Sequence, residues 1–376
     1  MIRSEPQVIS YVAIARMPTE KAHGASIAHM CASFAALGKQ VELVIPERRN
    51  EITEDIFSYY GVPRTFSVRT IRVPDFVGRG LTHPVFFFLQ RLLFIRAAKR
   101  AGIMPGVVYT REPEIAAAFS STHRAVYEAH RWPRGIAGWL TGRLIRHTTL
   151  VVCNSRGTEA AVRSSGVTCT LVAPNGFDPV AFQHAESKEQ ARIRLGLPQN
   201  AKIALYVGSL ETHKGVKTLY IAGQLLQPDV TTVVIGGDEQ TLHKLKARFP
   251  DIYFLGSRPY RELANNLSAA DVLILPNTKK DEESARFTSP IKAFGYMAAR
   301  RPIVTSDLPS LREVLDEESA YFVRSDDPAA LAKGIRAVLV DATAGDARAT
   351  RAQERVYGYT WAARAMRIMQ VLDTAP

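Results

Sequence analysis

The residues with the clearest potential for chemistry lie in the stretch 286–307. Thr288 or Ser289 is a suitable N-cap and Pro290 a suitable first helical residue, so a helix is predicted to begin there, followed by a short strand at 303–304. The free amides and the dipole of a helix start bind anions. Lys292 falls in the first turn, where a cation is disfavoured unless an anion lies nearby. The stretch therefore predicts an anion site, with phosphate as the natural candidate.

A second lysine lies in a glycine-bounded loop at 208–215, which reads Gly-Ser-Leu-Glu-Thr-His-Lys-Gly. The loop follows a predicted strand and precedes a predicted helix. Such a loop can place the Lys214 ammonium near a phosphate. The alternative is a surface turn with a solvated lysine, and the loop alone does not decide between the two.

Further short loops follow predicted strands in the same half of the chain: Gly236-Gly237-Asp238, Gly256-Ser257-Arg258 and Asn277-Thr278. The glycine pair would let the backbone approach a ligand closely, although a tight turn explains it equally well. Ligands of open α/β sheets bind at the carboxyl ends of the strands. These loops are therefore predicted to share one rim with Lys214 and with the helix start near Ser289.

Two positions in the first half of the chain also lie in loops at the ends of predicted strands or at the start of a predicted helix. His130 follows a predicted strand, and Gly24 stands where a loop passes into a helix. A lone histidine is usually structural, but one at the end of a strand can be functional. Polar residues at 154–155 and 174–178 also end apolar runs, and turn formation explains these.

Alternating strand and helix patterns must position these residues. Short apolar runs of the kind found in buried parallel strands occur at 7–15, 41–45, 67–73, 107–110, 125–128, 150–153, 202–207, 231–235, 253–255, 271–275, 303–304 and 321–323. Helical patterns between them predict two doubly wound parallel sheets. We expect a first domain at 1–185, completed by a C-terminal helix at 358–376, and a second at 186–357, with the ligand in a cleft between them.

Composition is that of an ordinary globular protein, with 46% hydrophobic and 22% charged residues in 376. The three cysteines, Cys31, Cys153 and Cys169, lack metal-site spacing and lie in apolar segments, which predicts buried thiols in a reducing cytoplasm. No run reaches the ~18 apolar residues of a membrane span, and we expect no secretory signal.

The net charge of +12 is concentrated in the first half, where residues 1–185 hold 22 Lys and Arg against 13 Asp and Glu. This excess of positive charge predicts an anionic partner, which could be nucleic acid, an anionic membrane surface or a phosphorylated substrate. Nucleic acid is disfavoured because aromatic residues are not interleaved with the basic ones. The segment 85–101 is apolar all round its first two turns, which favours burial against the sheet. The alternative is an interfacial helix with its basic residues toward lipid headgroups.

Taken together, the chain resembles the family-4 retaining glycosyltransferases of the GT-B fold. The resemblance spans nearly the whole length and is carried by 288–298 with 302–304, by the loop 208–215, by 175–182 and by Trp361 in the terminal helix. It implies an α/β protein of two Rossmann-like, doubly wound parallel-sheet domains that face each other across a cleft. It also implies a cytoplasmic location, peripheral at the inner face of the membrane where the acceptor is lipid-linked.

The resemblance implies transfer of a sugar from a nucleotide-diphosphate sugar to a glycan or lipid-linked glycan, with retention of configuration and with neither metal nor other cofactor. Lys214 would neutralise the β-phosphate of the leaving group, and His130 would donate a hydrogen bond to the donor sugar. Charge that develops on the leaving group would thus be stabilised electrostatically. The other positions that match donor-binding residues are Gly24, Ser209, Gly236, Arg258, Arg286, Thr288, Ser289, Pro290, Ile291 and Gly295.

This sequence departs from the family pattern at three of its positions. Gly295 stands where a glutamate usually holds the ribose hydroxyls, Phe287 where a second acidic residue is usual, and Ser209 where an arginine accompanies the lysine. Loss of a carboxylate acceptor should weaken donor binding by ~1.5–3 kcal/mol unless a carboxylate at 281–283 compensates. Arg286 is a candidate replacement for the missing arginine. These departures motivate an alternative, a non-catalytic GT-B protein that acts as a binding or scaffold subunit.

Overall fold

The computed structural model describes residues 7–374 except Val77, Arg79, Thr82, Thr288 and Pro290. The strands are β1 (Val8–Val12), β2 (Gln40–Pro46), β3 (Ser67–Ile71), β4 (Val107–Thr110), β5 (Arg124–Ala129), β6 (Leu150–Cys153), β7 (Thr170–Val172), β8 (Lys202–Val207), β9 (Val230–Ile235), β10 (Tyr253–Phe254), β11 (Val272–Leu275), β12 (Ile303–Ser306) and β13 (Tyr321–Val323).

The helices are α1 (Ala22–Ala36), α2 (Ile56–Tyr60), α3 (Pro84–Ala101), α4 (Pro113–Phe119), α5 (Gly135–Leu144), α6 (Arg156–Ser164), α7 (Val180–Gln183), α8 (Lys188–Leu195), α9 (Val216–Leu226), α10 (Glu239–Arg248), α11 (Leu263–Ser268), α12 (Ile291–Ala298), α13 (Pro309–Arg312), α14 (Pro328–Val340), α15 (Ala342–Val356) and α16 (Trp361–Thr374). Short 3-10 segments occur at Thr212–Lys214, Tyr260–Glu262 and Tyr357–Tyr359, and a π-helical segment at Glu283–Phe287.

The chain forms two compact units, which divide at a different place from the one predicted. The first comprises Met1–Pro174 and Trp361–Pro376, and the second Asn175–Thr360. The predicted boundary after residue 185 is too late because the preceding segment already packs on the second unit. Asn175 bonds to Ser289, and Phe177 is buried in the core of that unit.

The first unit is a seven-stranded parallel sheet, among the described residues, in the order β3-β2-β1-β4-β5-β6-β7. The strand β1 pairs with β2 on one side and β4 on the other, so the strand order reverses there. Apolar side chains on both faces of β1 and β4 are fully buried, as the short apolar runs predicted. The helix α16 closes this unit by packing against α1, where the Trp361 ring stacks on His29 with centroids 6.0 Å apart.

The second unit contains a six-stranded parallel sheet in the order β10-β9-β8-β11-β12-β13, counted over the described residues. Here the order reverses at β8, which pairs with β9 and β11. Open sheets bind ligands beyond the carboxyl ends of the strands at such a reversal. Each unit therefore has one rim where a site is expected. With two parallel α/β sheets, the predicted fold class is confirmed.

Two expectations about burial are wrong. Only one face of α3 is buried, and the apolar residues of its first turns are exposed, with Phe88 65% accessible. The helix lies along the sheet, so it can bury only the stripe that faces inward. Cys31 and Cys153 are buried as expected, but Cys169 is exposed just before the edge strand β7. Among the described residues, the helices are all too short or too polar to span a bilayer.

Candidate functional site

The rim of the second sheet is made of glycine-rich loops that touch one another. The Gly208 amide donates to the Ile235 carbonyl at 2.9 Å, and the Gly236 amide donates to the Gly256 carbonyl at 2.8 Å. The φ angles of Gly208 and Gly236 are 149° and 142°, and a Cβ on Gly236 would overlap the Gly208 carbonyl. Only glycine permits this approach. The loops after β8, β9 and β10 thus meet, as the parallel-sheet topology predicted.

The loop that carries Lys214 is fixed against the end of β11. Its centre is the 3-10 turn Thr212–Lys214, in which the Lys214 amide donates to the Glu211 carbonyl at 2.9 Å. Gly215 follows with φ of 72°, and a side chain there would overlap the Pro276 carbonyl. Because the backbone is packed on both sides, the position of the partly buried Lys214 is defined by the fold. A loose surface turn does not describe this loop.

A second ammonium group, that of Lys292, lies at the same rim. Its Nζ donates to the Tyr206 hydroxyl at 2.7 Å and lies 4.2 Å from the centre of that ring. Tyr206 is fully buried in β8 and donates its own hydroxyl proton to the Ser209 carbonyl at 2.7 Å. Burial, and then repulsion by Lys214, holds the pKa of Lys292 well below its usual range. The two lysines are therefore electrostatic neighbours.

The start of α12 is anchored by Ser289, whose hydroxyl makes a contact that the sequence did not predict. The Ser289 Oγ accepts from the Asn175 amide at 3.0 Å, and its carbonyl accepts from Asn175 Nδ2 at 3.0 Å. Ser289 is buried, whereas Ile291, the first residue of α12, is partly buried. Two other predicted donor-binding positions, Thr288 and Pro290, lie outside the described residues.

Three further predicted donor-binding residues have exposed side chains. These are Ser209 after β8, Arg258 after β10 and Arg286 in the π-helical segment. Ser209 and Arg258 belong to loops of the glycine-rich rim. The roles of all three toward a donor stay predictions.

Gly295 lies inside an apolar environment within α12. A Cβ at this position would lie 3.1 Å from Leu263, 3.7 Å from Phe182 and 3.8 Å from Leu267. A glutamate here would start from a tight, apolar contact. The sequence shows that the carboxylate is missing at position 295. It does not show that apolar side chains surround this position.

At the rim of the first sheet, His130 belongs to a buried hydrogen-bond network. Its Nε2 contacts one oxygen of Glu128, which is fully buried, and the other oxygen accepts from the Tyr109 hydroxyl. Arg364 of α16 donates to the second oxygen from Nη1 at 3.2 Å, and its Nε donates to the Ala173 carbonyl at 3.1 Å. The terminal helix thus holds the carboxylate that orients the histidine.

The charges of this network determine the protonation of His130. Burial opposes ionisation of Glu128, but Arg364 and His130 outweigh it and hold the pKa of the carboxyl well below its usual range. Burial, and then repulsion by Arg111, lowers the pKa of His130 to about 4. At neutral pH, Nε2 must carry the single proton toward the carboxylate, so Nδ1 keeps a lone pair. The nitrogen left for a ligand is therefore an acceptor, which does not fit the predicted donation to a sugar.

Gly24 has a local structural reason to be glycine. It is the third residue of α1, and a Cβ there would overlap the Tyr60 hydroxyl. That hydroxyl accepts from the Thr19 amide at 2.7 Å and donates to the Thr19 carbonyl at 2.9 Å. The space next to Gly24 is thus filled by the protein itself, and close approach of a donor to Gly24 stays a prediction.

Sequence reasoning missed Glu128, Arg364 and Tyr206. Glu128 stands two residues before His130, so both side chains fall on one side of β5, and this spacing was the available signal. Arg364 is 236 residues away from Glu128 in the chain. Tyr206 sits within an apolar strand and looked like an ordinary core residue. Only the fold reveals the contacts of the last two.

The sequence of this chain has known relatives. Residues 201–341 match a family model described as "Glycosyl transferases group 1". Phosphatidyl-myo-inositol mannosyltransferase of Mycobacterium tuberculosis is 32% identical over 212 residues, which cover 54% of this chain and 53% of that protein. The putative teichuronic acid biosynthesis glycosyltransferase TuaC of Bacillus subtilis is 28% identical over 179 residues, 47% of this chain and 43% of TuaC. The matches thus span about half the length of these curated relatives.

Solved structures match the fold over almost the whole chain. Sucrose-phosphate synthase from Thermosynechococcus elongatus has a TM-score of 0.77 at 19% identity and covers 98% of each chain. Anabaena HepE in complex with UDP-glucose has a TM-score of 0.70 at 16% identity over 98% of this chain and 100% of HepE. At such identities the likeness concerns the fold. The predicted GT-B fold is confirmed, and residues 201–341 match the model of the group 1 glycosyl transferases.

Proposed function

We propose, because residues 201–341 match the model of the group 1 glycosyl transferases, that this protein is a glycosyltransferase. Its donor is a nucleotide-diphosphate sugar, and its acceptor is a glycan or a lipid-linked glycan. The sugar is transferred with retention of anomeric configuration, and lysine side chains rather than a metal ion balance the charge of the leaving diphosphate.

The observation that carries this proposal is the position of Lys214 at the glycine-lined rim of the second sheet. The packing of Gly215 against Pro276 fixes the lysine loop at the point where the strand order reverses. Gly208 and Gly236 contact each other through their backbones. Because both are glycines, no side chain covers the rim at these two positions. A phosphate can approach such a backbone closely, and a fixed ammonium stabilises negative charge that develops as the sugar departs.

The nature of the donor has support from structural neighbours. HepE was solved with UDP-glucose, and the Escherichia coli trehalose-6-phosphate protein with UDP-2-fluoro glucose at a TM-score of 0.74. Both are nucleotide-diphosphate sugars. The first experiment is therefore a panel of UDP-, GDP- and ADP-sugars.

A ligand that binds only the folded protein raises its melting temperature, by about 2.7 kcal/mol of added stability at 100 times Kd. We expect at least one member of the panel to raise the melting temperature at millimolar concentration, and to do so equally with excess EDTA. If none does, the proposed donor class is wrong. If EDTA abolishes the shift, the metal-free mechanism is wrong.

Replacement of Lys214 tests its role in turnover. Lys214→Ala should lower kcat by roughly 100-fold or more, as loss of a charge-stabilising group commonly does, while the far-UV circular dichroism stays unchanged. Lys246→Ala is the matched control, because Lys246 is an exposed lysine on α10 of the same unit. Full activity of Lys214→Ala would remove Lys214 from the mechanism.

His130 is proposed to accept, through Nδ1, a hydrogen bond from a hydroxyl of the transferred sugar. The support is its neutral state and the contact of Nε2 with Glu128. A donor analogue that lacks the partner hydroxyl should lose affinity for the native protein. It should lose none for the His130→Ala variant, which cannot form that bond. Equal losses in both proteins would contradict this role.

We further propose that the first unit contacts an anionic membrane surface, as a lipid-linked acceptor requires. Exposed apolar side chains occur on α3 and α5, helices that both neighbour α4: Val85, Phe87, Phe88, Leu92, Ile136, Trp139, Leu140 and Leu144. Among them Ile136 is 78% and Trp139 51% accessible. We call this set the apolar face.

Basic residues accompany the apolar face, which is the pattern of interfacial helices. They are exposed on or beside the same helices: Arg96, Lys99, Arg100, Arg131, Arg134, Arg143 and Arg146. Large exposed apolar side chains that are accompanied by basic residues favour an interaction surface on these two helices. The surrounding positive charge favours anionic lipid over a neutral partner.

Liposome sedimentation tests this surface directly. The protein should pellet with vesicles of phosphatidylcholine and phosphatidylglycerol and much less with phosphatidylcholine alone. The double variant Phe88→Ser, Trp139→Ser should lose most of this binding. Val340→Ser is the control, since Val340 is an 87% accessible apolar residue on α14 of the second unit. Undiminished pelleting of the double variant would contradict the assignment.

A further inference from the structure

We propose that Lys292 is a second ligand of the donor diphosphate and supplies the positive charge that Ser209 does not. The inference rests on the proposed function and adds to it a residue on a different element, α12. It makes the phosphate site a pair of ammonium groups, one from the loop after β8 and one from the helix after β11.

The first step is the position of Lys292 at the glycine-lined rim. A Cβ built on Gly208 would lie 3.0 Å from the Lys292 Nζ, so the ammonium lies directly against the backbone where β8 ends. Tyr206 fixes it there, through its hydroxyl at 2.7 Å and its ring at 4.2 Å. Because Tyr206 also bonds to the Ser209 carbonyl, the tyrosine cannot swing away without disturbing the rim.

The second step is charge balance. No carboxylate forms an ion pair with Lys292 in the part of the chain that the structure describes, and its hydroxyl partner is neutral. A partly buried ammonium costs free energy unless an anion compensates it. Repulsion from Lys214 adds to that cost, as the lowered pKa of Lys292 indicates. Among the described residues, the hydrogen-bond partner of the Lys292 ammonium is thus a neutral hydroxyl, and a diphosphate would neutralise this charge.

Lys292 is better placed to supply this charge than the other candidates. Ser209 is exposed and neutral, and its carbonyl is already used by Tyr206. Arg286, the candidate that the sequence suggested, has an exposed side chain in the π-helical segment. Lys292 is the residue whose charged group the structure places against Gly208. It therefore takes the role for which Arg286 was considered.

Isothermal titration calorimetry with UDP, GDP and ADP, and with the corresponding nucleosides, tests the proposal. For the diphosphate that binds the native protein, Lys292→Met should weaken affinity about 10- to 100-fold, the usual effect of losing one charged hydrogen bond. Affinity for the nucleoside, which lacks phosphates, should not change. Lys246→Met is the control and should match the native protein for both ligands.

Proton linkage gives a second readout that a merely structural role would not affect. An anion beside Lys292 should raise its pKa, so diphosphate binding should take up protons at pH values between the lowered pKa and the ordinary lysine value. Binding heats measured in two buffers of different ionisation enthalpy reveal this uptake, which should be absent in Lys292→Met. Lys292→Arg should retain most of the diphosphate affinity, since it keeps the charge.

The outcomes separate this inference from the proposed function. If the native protein binds no nucleoside diphosphate, both are overturned. If it binds one and Lys292→Met binds it equally well, only the role of Lys292 is overturned. An equal loss for nucleoside and diphosphate would likewise overturn it, because that loss would come from a disturbed fold rather than from a missing charge.

Discussion

The rims of the two sheets carry buried charge in opposite ways. In the first unit, the carboxylate of Glu128 is fully buried but is satisfied by Arg364, Tyr109 and His130. In the second unit, the ammonium of Lys292 has a neutral tyrosine as its partner and another cation as its neighbour. Within the part of the chain that the structure describes, the same α/β topology thus supports one charge with an ionic partner and one with a neutral partner.

The difference separates a charge that the protein itself compensates from a charge that is available to a ligand. A buried ion pair with complete hydrogen bonds orients its members, and removing one partner is strongly destabilising. A buried charge without a counter-ion is unfavourable in the free protein and becomes favourable when a ligand of opposite charge binds. The first rim should therefore respond to mutation mainly in stability, and the second mainly in affinity.

The largest expected effect is on the first rim. Glu128→Ala would leave the guanidinium of Arg364 buried without its carboxylate, which typically costs about 3–5 kcal/mol. Differential scanning calorimetry should show a markedly lower melting temperature. The control is Glu318→Ala, which removes an exposed ion pair with Arg351 and should change stability by less than about 1 kcal/mol. Similar melting temperatures for the two variants would remove the distinction between the rims.

The next effect is the response of the first rim to acid. The folded-state pKa of His130 is about 4, below its ordinary value near 6.5, so between these pH values the unfolded chain binds a proton that the folded chain does not. Stability must then fall as pH is lowered from 6.5 to 4, by up to about 3 kcal/mol from this residue.

Urea unfolding at pH 7 and pH 5 measures this loss. His130→Gln should lose less stability than the native protein over that interval. The variant should still lose some stability over this interval, because burial, and then repulsion by Arg111, also lowers the pKa of His23 to about 4. Equal pH dependence in the variant and the native protein would mean that His130 is not held neutral.

A carboxylate introduced into the second unit should give a smaller effect. Gly295→Glu places a side chain 3.1 Å from Leu263 and close to Phe182, and overpacking of this kind costs about 1–3 kcal/mol. Gly295→Ala separates the effect of the Cβ from that of the carboxylate. We expect the glutamate variant to melt at a lower temperature than the alanine variant. A gain in donor affinity with Gly295→Glu would instead favour the alternative of a weakened enzyme or a scaffold subunit.

The smallest expected effect, opposite in sign, concerns Lys292 in the absence of ligand. Lys292→Met removes an uncompensated charge, so the free variant should melt at a higher temperature than the native protein. Because the folded-state pKa of Lys292 is lowered, the native protein gains stability as pH rises from that value toward the ordinary lysine value near 10.4. The advantage of the variant should therefore shrink at alkaline pH. A less stable variant would indicate that Lys292 is compensated after all.

The chain itself determined the fold class and most of the strand positions. The strands at 107–110, 150–153 and 202–207 lie where the apolar patterns predicted. Helices such as 216–226 and 239–248 lie between strands, as the alternating pattern predicted. Local residue types carry this information, because short apolar runs and helical spacing act over a few residues. The lysine loop and the predicted phosphate-binding helix start could be recognised from the sequence for the same reason.

Tertiary structure alone decided which groups meet. Arg364 reaches Glu128 across 236 residues, and Lys292 reaches Tyr206 across 86. It also decided that the apolar residues of α3 are exposed and that Asn175 belongs to the second unit. Charge compensation depends on distances between side chains that are remote in sequence, and no local pattern records those distances. The sequence could therefore identify two candidate lysines, but only the folded chain shows that Lys292 lies close enough to Lys214 to be repelled by it.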